Sequence, residues 1–66
     1  MKLPKNKITL YFVYRRNHTD KTEIPVAVFR TPEGADNYAN ASAQEMLDRG
    51  FLEFSFRVGG IIYYDE

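Results

Sequence analysis

The residues of this chain that could do chemistry are few, and their spacing decides how far each can be taken. The only histidine, His18, stands beside Thr19 and Asp20 in the run Arg16-Asn17-His18-Thr19-Asp20-Lys21-Thr22. Histidine with a hydroxyl and a carboxylate is the material of nucleophilic catalysis, which needs a nucleophile, a base and a group that orients the base. Here the three are sequence neighbours in a polar, turn-prone segment, and such neighbours do not converge on one reacting atom. A metal centre built from His18, Asp20 and Glu23 would have three weak ligands in one loop, short of a closed tetrahedral set. The carboxylate pairs Glu33/Asp36 and Glu45/Asp48 are spaced i,i+3, which on a helix places them on its outer, solvated face. Gly59-Gly60 has neither the lysine nor the following helix of a phosphate-binding loop. On this reading the chain carries no catalytic residue, no metal site and no cofactor.

Binding chemistry is better represented. Lys5, Lys7, Arg15, Arg16 and Lys21 are candidates for phosphate contacts, and with them a weak nucleic-acid interaction. Against this, nine Lys/Arg balance nine Asp/Glu, a net charge of zero, where a strong nonspecific binder would be basic. The zero conceals a segregation of about +5 over residues 1–22 and −5 over residues 23–66, which folding can cancel by bringing the ends together. Arg49-Gly50-Phe51-Leu52-Glu53-Phe54-Ser55-Phe56 partly resembles the octapeptide of RNA-recognition-motif domains at Arg49, Gly50, Phe51 and Phe56. It departs from that pattern at Leu52, at the base-stacking position held by Glu53, and in element order, so no RNA-binding role follows.

The elements that must position these residues are legible. Ile8 to Tyr14 is rich in β-branched and aromatic residues and has two largely apolar faces, the mark of a central strand, spanning about 7–15. The polar run after it reads as a hairpin loop. A second strand over 23–30 contains Pro25, which cannot donate to a ladder and belongs at a sheet edge or a bulge. Thr31-Pro32-Glu33 supplies a hydroxyl N-cap, a proline at the first helical position and an acid in the first turn. Ala35, Ala39, Ser42 and Met46 recur at helical spacing, and Gly50 is a C-terminal stop, so a helix is expected over 32–49. A third strand follows over 51–58. Gly59-Gly60 reads as a hairpin turn into a short fourth strand over 61–64, with a bulge within one longer strand as the alternative. Residues 1–6 read as flexible.

The expected architecture is a single α+β domain over 1–66, β-β-α-β(-β): three or four antiparallel strands in the order 2-1-3-4, with one helix across one face. Sixty-six residues bury only about 60% of the surface the unfolded chain exposes, and with no cysteine there is no disulfide to compensate. Self-association, a dimer first, is the default expectation. One helix covers one face of the sheet, so the other is left as an interaction surface. Tyr11, Val13, Tyr63 and Tyr64 are the candidates for that face, tyrosine giving a large apolar body with a polar tip. The apolar segments are too short and too polar for a signal or a membrane span, and the absence of cysteine fits a reducing compartment; the expectation is a cytoplasmic protein.

The tyrosine-rich strand, the second strand ending in Phe29, and Thr31-Pro32-Glu33-Gly34-Ala35 opening the helix resemble small proteins of unknown function encoded by phages and mobile elements. In these a phenylalanine, a Ser/Thr cap, a Glu and an Ala dock the helix on the sheet. The resemblance is architectural and implies a non-enzymatic accessory protein that binds and modulates a host protein in a bacterial cell, a counter-defence inhibitor being one form. The alternatives are the weak nucleic-acid binder and, third, an oligomeric sponge holding a small nucleotide between protomers.

Overall fold

The computed structural model describes the backbone of residues 6–65 and the side chains of residues 7–63. The elements run β1 (Asn6–Asn17), β2 (Thr22–Phe29), α1 (Pro32–Asp48) and β3 (Phe54–Asp65). The sheet order is β2-β1-β3, with both pairings antiparallel. This is the expected α+β class with the expected central strand. Of the stretch read as flexible, residues 1–5 lie outside the described residues, and Asn6 opens β1.

Local chemistry sets each boundary. The β1–β2 loop closes through Asn17, whose Oδ1 accepts the Thr19 N–H at 2.9 Å, and turns at Lys21 with φ of 58°. Thr31 caps α1, its hydroxyl accepting the Gly34 N–H at 3.2 Å, with Pro32 at the first helical position. At the other end the Gly50 N–H donates to the Leu47 carbonyl at 3.0 Å and the Phe51 N–H to that of Met46 at 2.9 Å. These two bonds require a left-handed residue between them, and Gly50 supplies it with φ of 83°.

The core is thin. Among the described residues only Val13, Ala35 and Ala39 are buried. The small helical side chains bring α1 close to the sheet, and Tyr11, Val26, Ala27, Phe29, Phe56 and Val58 surround the contact. The β1–β2 register steps by one here, Val13 facing Ala27 while Tyr14 faces Pro25. Val26 is therefore the extra residue of a β-bulge, and it turns to the helix side together with Ala27. The proline expected at an edge or a bulge has both.

Two expectations are corrected. Gly59-Gly60 makes neither a hairpin nor a bulge. Both glycines lie inside the continuous strand β3, paired in unbroken register with Phe12 and Tyr11, so the anticipated fourth strand is the second half of β3. The reason is aromatic cover: a Cβ on Gly59 would sit 3.1 Å from the Tyr14 ring, and one on Gly60 3.6 Å from the Tyr11 ring. The neighbouring strand's tyrosines occupy the space where side chains would be.

The second correction concerns faces. Val13 and Tyr11 were expected on the uncovered face, yet Val13 is 0% exposed beneath α1 and Tyr11 packs beside it. Phe29, the last residue of β2, must dock the incoming helix, and its cross-strand partner is Tyr11. Directly opposed residues share a face, so Tyr11 and Val13 go with the helix.

Urea titration tests the assignment of faces and the C-terminal cap of α1. Val13→Ala should destabilise the fold by about 2 kcal/mol, whereas Val28→Ala, on the uncovered side, should cost less than about 0.5 kcal/mol. Gly50→Ala meets no steric obstacle within 4 Å, so its cost, about 1 kcal/mol, comes from the left-handed backbone alone.

Candidate functional site

With α1 on the Tyr11–Val13 side, the open face carries the alternate residues. From β1 these are Ile8, Leu10, Phe12 and Tyr14; opposite them on β3 lie Tyr63, Ile61, Gly59 and Arg57. Val28 of β2 stands across from Phe12. Among the described residues no element lies over this surface. Val28 is 51% exposed and Tyr63 47%, while Leu10, Phe12 and Tyr14 are half-buried among their neighbours.

The aromatic residues of this face are held rather than loose. The Phe12 and Tyr14 rings lie 6.2 Å apart on one strand face. Tyr14 fills the space above Gly59, and the Arg57 guanidinium covers its ring at 4.3 Å from the centroid. Arg57 is fixed in turn by a two-pronged bond, Nε donating to Glu23 Oε2 at 2.9 Å and Nη2 to Oε1 at 2.7 Å. This fork bridges β3 to β2 across β1. The hydrogen bond from Arg57 holds the Glu23 carboxyl below its ordinary value, opposed by desolvation and helped by the positive charges of Arg57 and Arg16. The face is thus an apolar and aromatic strip with a fixed ion pair on its border.

The sequence-derived candidates divide. Tyr63 lies on the open face. Tyr11 and Val13 belong to the helix side. The Tyr64 backbone pairs with Lys7, and its side chain lies outside those described. Sequence reasoning missed Phe12, Tyr14, Val28 and Arg57. Strict alternation along β1 groups Phe12 with Tyr14, but which of two apolar faces meets the helix depends on the register of β2.

The basic candidates do not form one patch. Lys7 and Arg16 are nine residues apart on an extended strand, roughly 30 Å. Arg15 lies against the Phe54 ring, 5.0 Å from its centroid. Arg16 is exposed on the opposite face, Lys21 is in the turn, and Lys5 lies outside the described residues. His18 is tied to β3, with Nε2 2.8 Å from Ser55 Oγ and its backbone N–H donating to the Glu53 carbonyl at 2.7 Å. No polar or charged side chain is buried among the described residues, and no three metal-ligating side chains there converge. A half-open cleft of about 140 Å³ lies between α1 and the sheet, with Arg15, Tyr38, Ser42, Glu45 and Phe56 in its wall. It is below the roughly 300 Å³ at which small-molecule sites begin. Among the described residues no helix is long and apolar enough to cross a membrane.

Comparison of the chain with protein-family models, with curated proteins and with solved structures finds no match.

The Glu23–Arg57 fork gives a signed pH dependence. A carboxyl whose folded pKa is depressed contributes stability above its unfolded pKa and loses it as pH falls through the folded value. Wild type and Glu23→Gln should therefore differ in urea midpoint at pH 7, and the difference should shrink progressively as pH falls below the ordinary carboxyl value. The difference should be small throughout, because the pair is solvent-accessible.

Proposed function

We propose that this chain is a small non-enzymatic binding protein that takes a partner protein on the open face of its sheet. The observation that supports this most is the one-sided cover: α1 packs on the Val13 side, while Phe12, Tyr14, Ile61 and Tyr63 form a strip that no element among the described residues covers. Exposed apolar strips of this kind are costly in water and commonly mark contact surfaces. Rigid aromatic anchors beside a positioned arginine are the residue types that dominate binding energy at protein interfaces. The flat outline supports the same reading. The Cα envelope measures 54 × 24 × 10 Å, which favours recognition by a surface over enclosure of a substrate.

The partner in this reading is a host protein, a defence or regulatory enzyme for instance, which the chain would modulate by occupying its surface. The β-β-α-β order agrees with the architecture of the phage and mobile-element proteins it resembles. The phage or mobile-element setting is an inference from that likeness.

The test is affinity capture from a bacterial lysate with three baits. A specific partner should be held by wild type and by Asn40→Asp, a solvent-side helix variant. It should be lost, by about tenfold or more in affinity, from a Val28→Asp/Tyr63→Ala variant that still melts cooperatively. Equal capture by all three baits would refute the open-face reading. Low-salt titration with DNA and RNA should give no binding; tight, salt-sensitive binding would favour the nucleic-acid alternative instead.

A further inference from the structure

We propose that the outer edge of β3 pairs antiparallel with β3 of a second copy, joining two chains into one six-stranded sheet. This surface is the backbone edge of the sheet, distinct from its open face, and it stands or falls separately from the binding role assigned to that face.

The two sheet edges differ. β2 is eight residues long, contains Pro25, and is broken by the Val26 bulge. Short length, proline and bulges are the devices by which natural proteins close an edge to further pairing. β3 has none of them. It runs for 12 residues in unbroken register with β1 and contains no proline. Among the described residues its outer side has no partner strand, which leaves alternate N–H and C=O groups along its length unpaired within the sheet. Arg57, the one basic residue in this strand, is drawn toward Glu23 on the far side of the sheet. It does not guard the edge.

The second copy is favoured as occupant on two grounds. The first is stability. With Val13, Ala35 and Ala39 the only buried residues among those described, and Leu47, Leu52, Ile61 and Ile62 exposed, the described part of a single chain buries little apolar surface. A strand needed to complete the fold must be present in equal number with the chain, and only a second copy guarantees that.

The second ground is self-complementarity. About a two-fold axis normal to the sheet, opposed residues must share a face, so the pairing centres on a residue rather than between two. Full overlap of Phe54–Asp65 then centres on Gly59 or Gly60. Centring on Gly60 sets Arg57 opposite Tyr63 of the second copy and Val58 opposite Ile62. It also places the Asp65 position opposite Ser55, which pairs with Arg16 on β1.

The experiment combines sedimentation with amide hydrogen exchange of the wild-type chain at micromolar and millimolar concentrations. The expected species is a dimer at millimolar concentration. Within β3 the amides that do not face β1, every second residue, should exchange at least about tenfold more slowly at the higher concentration. A folded monomer at millimolar concentration overturns the proposal. So does an assembly larger than a dimer, or a dimer whose outward β3 amides stay unprotected, since that dimer forms through another surface.

A pair of variants supplies the second check. Ile61→Pro and Ile62→Pro remove adjacent N–H groups, of which one faces β1 and the other the edge. One of the two should keep the circular dichroism of the fold at millimolar concentration yet sediment as a monomer. If both remain dimeric while folded, the edge is not the interface. If both unfold, the exchange pattern of the wild type decides.

Discussion

A single helix rests on this sheet through small side chains, and the depth of that seat governs the rest. Ala35 and Ala39 present almost nothing beyond a methyl group, so α1 can descend until Val13 is sealed off from solvent. Larger residues at either position would lift the helix by a side-chain layer and leave Val13 under a gap, with the lost contacts such gaps bring. The aromatic residues Phe29 and Phe56 close the sides of the seat instead of its centre. Because the contact is so narrow, burial elsewhere is partial, and the remainder of the molecule is surface.

The bulge at Val26 follows from the same seat. A regular strand would send Val26 and Ala27 to opposite faces, yet the contact uses both. The extra residue re-phases β2, so that Pro25, Glu23 and Val28 fall on the open side while Phe29 still reaches the helix. That phase is also what brings Glu23 within reach of Arg57 two strands away. The Tyr14 ring, the arginine above it and the glycine beneath it are thereby set as one unit.

Much of this was legible in the residues. The caps at Thr31 and Gly50, the central place of β1, the edge or bulge demanded by Pro25 and the β-β-α-β order rest on local chemistry that tertiary packing leaves intact. Two things were not legible. A pair of glycines between apolar runs signals a turn, and nothing near Gly59 in sequence reveals that Tyr14 and Tyr11 will lie over the two positions. The face of β1 that meets the helix was equally hidden. Both of its faces are apolar, and the choice is made in β2, by a one-residue slip that alternation within β1 cannot register. Tyr63 kept its expected place on the open side because its neighbour across the ladder is Ile8.

The long ribbon formed by the outer halves of β1 and β3 has a practical corollary. Asn6 is paired with Asp65, so both ends of the described chain leave the sheet side by side at one tip, far from the loop at residues 18–21. Ends in that relation can be linked and the chain reopened in a distant surface loop without re-routing any element. A label or surface tether placed at the Asn6–Asp65 end of the ribbon would leave the hairpin pole clear.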